Sequence, residues 1–486
     1  MTADLSPFVA GWQAGWPAFL VGLTAFAVMF ADLVSDAKDR EGLVVVGLIG
    51  LAITAAFSLN AWFATGDPGG FQNTLRCDRF GLFFTIVICA AAALTLLMSV
   101  EFVREHGLPA GDYHALVLLS TCGMIFMALA NDLIVIFLAL EVMSVAVYVL
   151  SGMLRGEQRS IEAAMKYFLL GAFASGFLLY GIAFFYGATG TTQLDGIAQA
   201  IARDGVGPMV LLGIVFLTVG LGFKVALVPF HGWTPDVYEG APTPVTAFMA
   251  VGVKAAAFAA LVRVFATSLD ASAADWTGVL EVLAVVTMTV GNVVAISQRS
   301  VKRMLAYSSI AHAGYALVGL VANTPEGGAA VLFYLAVYTA MNVGAFAVLV
   351  ALGRRGEPND DLDAMAGVGF RQPILGLSMT VFMLALAGFP PTAGFAGKFY
   401  LFSAAIDAGH VMLAIAGVLN SLVSVYYYLG VIVQMYMVEG TVDPISPRAR
   451  PWLLWVIFTS VVATILLGVL PAGPMDAARA AFGSLG

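Results

Sequence analysis

Runs of about twenty apolar residues recur along the whole chain, and a helix of that length is what a bilayer core of roughly 30 Å requires. Fourteen such runs are predicted, at about 12–34, 43–63, 79–101, 114–130, 132–154, 163–187, 208–238, 242–266, 276–297, 302–322, 328–352, 373–407, 410–437 and 451–471. The expected fold is therefore an all-α polytopic membrane protein. Composition agrees: 60% of residues are hydrophobic and 11% charged, where soluble domains carry about a quarter charged. A nucleic-acid-binding domain, a disulfide scaffold and a soluble enzyme are excluded. Cys77, Cys89 and Cys122 form no CxxC and no metal-ligand spacing. The connecting loops leave no room for a domain holding a flavin, a nucleotide or a cluster. The first eleven residues contain no Lys or Arg, so no cleaved signal peptide is expected and the N-terminus reads as mature.

Basic residues orient the stack. Loops after odd-numbered helices hold Lys38, Arg40, Arg104, Arg155, Arg159, Arg299, Lys302, Arg303, Arg354, Arg355, Arg371, Arg448 and Arg450. The opposite side holds Arg76, Arg79, Arg203, Arg263 and Arg479. Both termini should face away from the cytoplasm.

Lys166, Lys224, Lys254 and Lys398 remain, each inside a predicted helix, whereas all sixteen arginines fall in loops or at helix ends. A charge at the membrane centre costs roughly 2.5–3.5 kcal/mol on insertion scales. Burial lets a lysine release and recapture a proton, which a guanidinium effectively cannot do. One carboxylate, Glu141, is equally deep, in the middle of the fifth helix, and Glu141 with Lys224 would make a two-state switch. Asp32, Glu101, Asp132, Glu162, Glu281, Asp407 and Glu439 lie nearer helix ends and read as solvated. A single intramembrane lysine can be a structural ion-pair partner, but four cannot all be paired by one deep Glu. Hydrated proton or ion pathways are the favoured reading.

Pro229 interrupts the seventh helix just past Lys224, and Pro390, Pro391, Gly394 and Gly397 open the twelfth just before Lys398. Non-helical backbone at membrane depth survives where it is buried in protein or lines a wet cavity. The two breaks are five helices apart, so the helices that carry them run in opposite directions, the pattern of inverted halves. A register supports this. YVLSG (Tyr148 to Gly152) recurs as YALVG (Tyr315 to Gly319), Tyr167 matches Tyr334, and LDGIA (Leu194 to Ala198) recurs as LDAMA (Leu362 to Ala366). The expected organisation is helices 1–3 over 1–113, a five-helix repeat over 114–268, its inverted copy over 269–440, and helix 14 over 441–486. Leu194, Ile197, Ala198 and Ile201 have helical spacing, which predicts a short interfacial helix.

LEVMSVAVYVLSG with Glu141, KYFLLGAFASG with Lys166, FKVALVPFHGWTPDVYEGAPTPVTAF with Lys224, YSSIAHAGY, and LAGFPPTAGFAGKFYLF with Lys398 resemble the antiporter-like membrane subunits of respiratory complex I, proton-pumping NADH–quinone oxidoreductase. The resemblance covers about residues 114–437. Fourteen helices, no long lateral helix after residue 471 and a lysine rather than a glutamate at 398 single out one of the sister subunits. It implies a proton-translocating subunit of that enzyme with two half-channels, driven by redox chemistry elsewhere. NADH, FMN, iron–sulfur clusters and quinone would sit on partner subunits, with no cofactor or metal in this chain. The partners implied are other membrane subunits, including a neighbouring antiporter-like one, the lipid bilayer and protons, without nucleic acid. The setting implied is a bacterial inner membrane with both termini on the periplasmic side. Residue by residue, Glu141 and Lys224 match the family's carboxylate–lysine pair, Lys254 its central relay lysine, Lys398 its terminal group, and Lys166 a further lysine near the pair.

Two histidines bear on the path. His312 is placed to bridge Lys254 and Lys398 through water, or else to bond a backbone carbonyl. His231 reads mainly as shaping the turn at the break, and as a gate otherwise. His106, His114 and His410 read as surface residues. Tyr426, Tyr427, Tyr428 and Tyr436 read mainly as aromatic packing with hydroxyls on backbone, and otherwise as bonding water in the second half-channel. GFAGKF only resembles the end of a phosphate loop, because Thr392 stands at the first glycine position. Two rival classes remain: a subunit of a multi-subunit sodium/proton antiporter, which shares this helix pattern, and a non-transporting scaffold whose buried charges lock helices together.

Overall fold

The computed structural model describes residues 6–34, 41–64, 69–353, 360–440 and 451–485. Thirteen helices among them are long and apolar enough to cross a bilayer, so the chain is a polytopic all-α membrane protein. In chain order the helices are α1 (Ser6–Val34), α2 (Glu41–Trp62), α3 (Arg79–His106), α4 (Ala110–Leu129), α5 (Leu133–Ser151), α6 (Gln158–Thr189), the short α7 (Leu194–Asp204), α8 (Pro208–Val225) and α9 (Thr234–Gly240). They continue with α10 (Thr243–Ser268), α11 (Ala273–Ile296), α12 (Val301–Val321), α13 (Pro325–Leu352), α14 (Pro373–Ala387), α15 (Ala393–Asp407), α16 (Val411–Met437), α17 (Pro451–Val469) and α18 (Ala472–Phe482).

Each predicted run meets a helix. The seventh resolves into α8 and α9, and the twelfth into α14 and α15 of 15 residues each, which is why thirteen uninterrupted spans answer fourteen runs. Of the residues used to orient the stack, Lys38, Arg40, Arg354, Arg355, Arg448 and Arg450 lie outside the described residues.

Polar caps start the helices where the chain leaves its loops. Asp78 accepts from Gly81 N at 2.7 Å to cap α3, and Asp132 accepts from Ile134 N at 2.8 Å to cap α5. Ser300 caps α12 by accepting from Arg303 N at 3.2 Å. Such side chains satisfy the amides that a helix start leaves open. The chain before α5 pairs with the chain before α7 through Leu133 N to Thr192 O (2.9 Å) and Leu194 N to Asn131 O (3.0 Å). The same pair of bonds recurs 168 residues on, as Val301 N to Asp360 O (2.6 Å) and Leu362 N to Arg299 O (2.7 Å). The helix α7 is amphipathic as expected, burying Leu194, Ile197, Ala200 and Ile201.

The centre of the bundle is α10, α12 and α13, whose membrane windows are 100%, 94% and 89% buried, against 33% for α6 and α16 and 28% for α17. Glycines let α11 and α12 approach: a Cβ on Gly291 would stand 2.6 Å from Ala311 N, and one on Gly314 2.6 Å from Met288 Cγ. Helices in lipid gain from such close backbone contact because no hydrophobic drive separates them from the tails.

Several residues expected at solvated helix ends are buried instead: Glu101, His114, Asp132 and Lys302. Their helix ends are covered by neighbouring chain rather than exposed; Asp132, for example, accepts from Thr192 Oγ1 at 2.7 Å. Asp32, Glu162, Asp407 and Glu439 are exposed as expected. His410 pairs with Glu281 at 3.1 Å. The arginine at the end of α10 departs furthest from expectation. Arg263 is 1% exposed and grips Asp78 through Nη1 (2.6 Å) and Nη2 (2.8 Å), with a further bond from Nη2 to Ala128 O at 2.9 Å. One guanidinium thereby ties α3, α4 and α10 together.

Candidate functional site

Besides Lys302 at the start of α12, three lysines lie buried deeper in the bundle, each held by neutral oxygens. The first, Lys224, occupies the last turn of α8, which stops at Val225 because Ala226 turns left-handed at φ 65°. Its Nζ donates to Tyr148 Oη at 3.0 Å and lies 4.9 Å from the Tyr148 ring centre and 5.1 Å from that of Tyr167. An ammonium over aromatic faces is attracted by the ring quadrupole. Glu141 lies on α5 seven residues before Tyr148, so the two share a helix face. It is half-buried and accepts from Ser175 Oγ on α6. No ion pair joins Glu141 to Lys224; the two ends of the expected switch are parted, each on its own hydroxyl.

Lys254 follows a wide π-type turn over Met249–Val253 in α10, a helix irregularity frequent at functional sites. Its Nζ donates to Ser309 Oγ at 2.6 Å and also to the Ser309 carbonyl. One turn further along α12, His312 bonds Tyr334 Oη through Nδ1 at 2.6 Å and Tyr428 Oη through Nε2 at 3.1 Å. Tyr428 also shares a hydrogen bond with Ser308. His312 therefore takes two tyrosine hydroxyls, where the sequence reading expected either water or a backbone carbonyl.

Lys398 sits in α15 just after the break. It donates to Leu386 O (3.0 Å) and Ala387 O (3.1 Å), the last carbonyls of α14, and to Ser421 Oγ (2.8 Å). Its Nζ lies 4.7 Å from the ring centre of Tyr315. The helix break thus supplies the ligands, since the final carbonyls of a helix lack intrahelical donors. Tyr148 and Tyr315 are the matched tyrosines of YVLSG and YALVG, so each interrupted helix lays its lysine over the tyrosine of one of these two similar segments.

Lys166 departs from this pattern. It is 41% exposed and pairs with Glu162 and Asp236, both at 2.7 Å. The sequence reading put it among the deep lysines; the structure places it at a polar rim, because α9 folds back and brings Asp236 to it. Asp236 also meets Arg303 at 2.9 Å, and Glu239 meets Arg303 at 2.6 Å. Burial raises the Asp236 carboxyl, but its bonds to Lys166 and Arg303 outweigh that and hold it below the ordinary carboxylate value. Because the pair is open to solvent, Lys166→Gln is expected to lower stability by about 1 kcal/mol or less, read as the shift in apparent Tm of the assembled protein.

Sequence reasoning passed over Ser175, Ser309 and Ser421, which show no pattern of their own, and Lys302, which was counted in a loop. The tyrosine hydroxyls also differ from expectation. Tyr428 bonds side chains, and Tyr427 donates to Asn292 Oδ1 at 2.9 Å, because α16 faces polar groups of α11 and α12. Tyr426 is exposed, and Tyr436 packs edge-on against Phe370. His231 is half-buried, with its carbonyl accepting from Thr234 N at 2.9 Å and its Nδ1 lacking a partner. Among the described residues no group of three His, Cys, Asp or Glu side chains could hold a metal ion.

Residues 130–424, which include every buried lysine named above, match the family described as NADH:quinone oxidoreductase/Mrp antiporter, TM. NADH-quinone oxidoreductase subunit N of Trichlorobacter lovleyi is 46% identical over 458 residues, covering 94% of both chains. A chain of respiratory complex I from Thermus thermophilus is 37% identical with a TM-score of 0.81, covering 96% of this chain and 99% of that one. A chain of the Mrp complex from Dietzia sp. DQ12-45-1b shares the fold at a TM-score of 0.83 and 22% identity, covering 97% of each. With the matched region spanning more than half its length, and with a relative this similar along nearly the whole of it, the chain belongs to the NADH:quinone oxidoreductase/Mrp antiporter family of membrane subunits, on the subunit N branch.

Proposed function

We infer that this chain is a proton-translocating membrane subunit of an NADH–quinone oxidoreductase, carrying no redox centre itself and driven by redox chemistry in partner subunits. The observation that carries the reading is that three buried lysines, Lys224, Lys254 and Lys398, are ligated by hydroxyls and carbonyls rather than by carboxylates. A carboxylate partner would hold each of these amines in its charged form, because breaking a buried ion pair from one side is costly. A lysine on neutral oxygens can lose its proton and keep its place.

The proton path proposed runs through Glu141, Lys224, Lys254, His312 and Lys398, with Lys166 at its polar rim. Glu141 and Lys224 form the loading end, with the carboxylate released to Ser175 and the amine to Tyr148. His312, held between two tyrosines, joins the Lys254 side to the Lys398 side. Helices α4–α10 form one repeat over 114–268 and α11–α16 its inverted copy over 269–440, with α1–α3 and the segment from 441 appended. The recurrence of the paired backbone bonds at Asp132/Gln193 and Ser300/Asp361 supports that division. The inner membrane is the expected site, with both termini on the side opposite the basic loops. Other membrane subunits, including a second antiporter-like chain, are the expected partners.

A sodium/proton antiporter subunit is the competing transport reading. A sodium site would need several converging oxygen ligands, whereas amines dominate this core. Co-purification with soluble redox subunits separates these two, and proton pumping measured on complexes with Glu141→Gln and Lys224→Met tests transport against a non-transporting scaffold. Impaired pumping in an assembled complex is expected, and normal pumping with both variants intact would make the chain a scaffold.

A further inference from the structure

The two lysines at the helix breaks use their tyrosines differently. Lys224 takes the hydroxyl, its Nζ donating to Tyr148 Oη at 3.0 Å. Lys398 lies at a similar distance from its own ring, 4.7 Å from the centre of Tyr315 against 4.9 Å for Lys224 and Tyr148. Its hydrogen bonds nevertheless go elsewhere, to Leu386 O, Ala387 O and Ser421 Oγ. The Tyr315 hydroxyl is already engaged, accepting from Asn292 Nδ2 on α11 at 3.0 Å. We propose that Asn292 is a positioning residue for Lys398: by holding the Tyr315 hydroxyl, it confines the amine to the oxygens at the end of α14. The proposal rests on Lys398 serving in the proton path and adds what keeps it in place.

The chemistry of an amide suits this task, because it carries donors on one atom and an acceptor on the other and can fix two hydroxyls at once. Here Nδ2 donates to Tyr315 while Oδ1 accepts from Tyr427 Oη at 2.9 Å. Nδ2 also lies 3.5 Å from Asn420 Oδ1, and Asn420 is itself tied to Thr289 Oγ1 and Ala416 O. Asn292 is 0% exposed, although α11 faces outward over much of its surface. A buried amide is costly unless its bonds are made, and a satisfied network holds its members in one arrangement. Through this one residue, α11 joins α12 to α16, the helices that carry Tyr315 and Ser421.

A comparison within the chain supports the assignment. Gly291, beside Asn292, lets α11 meet α12: a Cβ there would stand 2.6 Å from Ala311 N and 2.9 Å from Tyr307 O. The same contact occurs 168 residues earlier, between α4 and α5. There a Cβ on Gly123 would stand 2.6 Å from Met143 N and 2.8 Å from Ala139 O. The residue after that glycine is Met124, which has no amide to offer, and the Tyr148 hydroxyl is left to Lys224. One tyrosine is thus a hydrogen-bond partner and the other only a ring.

The consequence for Lys398 concerns its donors. An ammonium has three, and Leu386 O, Ala387 O and Ser421 Oγ use them all. Without Asn292, the buried Tyr315 hydroxyl would need a new partner. The amine would turn to it, as Lys224 does to Tyr148, and give up a carbonyl of α14. Its proton would then be held away from the break.

The test uses the whole complex carrying Asn292→Leu, an apolar side chain of about the same length. An electron cryomicroscopy structure is expected to show Lys398 Nζ within hydrogen-bond distance of Tyr315 Oη and withdrawn from Leu386 O or Ala387 O. Proton pumping per assembled complex is expected to fall at least about tenfold, since misplacing a reacting group by about 1 Å can cost about 10²-fold. Adding Tyr315→Phe keeps the ring but removes the hydroxyl, so the amine should return to α14 and most of the lost pumping with it. Lys398 unmoved in Asn292→Leu, or a double variant that pumps no better than the single one, overturns the proposal. An amide that serves only the packing of α11 would leave Lys398 where it is. Should Asn292→Leu not assemble, Asn292→Leu/Tyr427→Phe leaves no Tyr427 hydroxyl stranded and is read in the same way. Normal pumping in Lys398→Ala, by contrast, would overturn the proton-path reading itself, whatever Asn292 holds.

Discussion

A complex carrying Lys254→Ala is expected to assemble and yet to lose proton pumping and quinone reductase turnover together. Removing a positioned proton-transfer group typically costs about 10²–10⁴-fold, and a loss of at least the lower figure is expected here. Assembly survives because the change leaves Ser309 Oγ and its carbonyl without their donor, a penalty of about 1–3 kcal/mol for each buried group. Lys254→Arg sharpens the result. A guanidinium keeps the charge and the hydrogen bonds but does not give up a proton at any ordinary pH. If Lys254 exchanges protons, the arginine variant pumps no better than the alanine variant. If its role is only the field of a fixed charge, arginine rescues. Pumping and reductase activity both retained in Lys254→Ala would remove this residue from the path.

The largest expected loss of stability lies elsewhere, at Asp78 and Arg263. Both side chains are 1% exposed, and breaking a buried pair from one side leaves an uncompensated charge, which costs about 3–5 kcal/mol. Arg263→Ala also frees the Ala128 carbonyl. Asp78→Asn keeps a cap on α3 but leaves the guanidinium without its counter-charge. Either change is expected to lower the temperature at which the subunit dissociates from the purified complex. The double replacement Asp78→Leu/Arg263→Met should recover most of that loss, because apolar side chains of similar size often do as well as a buried pair. A double variant as unstable as the worse single one would show that the residual polar contacts, not the unpaired charge, set the cost.

Much of the architecture was legible because a bilayer imposes length on apolar segments. All fourteen predicted runs meet helices, and both interruptions were visible as prolines at membrane depth. Short echoes in the sequence pointed to matched positions: Tyr148 and Tyr315, paired by sequence alone, turned out to lie beneath Lys224 and Lys398. What could not be seen was which ends of which helices are covered. Lys166 and Lys302 exchanged places in this respect. Lys166 lies inside an apolar run but meets Glu162 and Asp236 at an open rim. Lys302 follows a loop but is sealed beneath the end of α9. The difference comes from α9, seven residues long, folding back against α6 and α12. Nothing in the periodicity of TPDVYEG announces that contact.

The buried lysines were found by residue type and depth, but their ligands were not. Serines and carbonyls carry no signal in a single sequence, and the carbonyls that hold Lys398 exist only because α14 stops where it does. The same holds for Arg263, read only as a basic residue at a helix end, and for its partner Asp78, which carried no signal in the sequence. Their pairing required α3, α4 and α10 to converge.

By itself the sequence determined which segments enter the membrane, where two of them break, and that its deep cations are lysines. Tertiary structure alone decided which helices form the centre. The span α12 is the least apolar of the thirteen yet almost wholly buried, while the strongly apolar α2 faces outward over most of its surface. In water, apolarity marks the inside of a protein. In a bilayer the surroundings are as apolar as the core, so hydropathy assigns a segment to the membrane and says nothing of its partners. Close packing through glycines, and the need of each buried polar group for a partner, settle the rest.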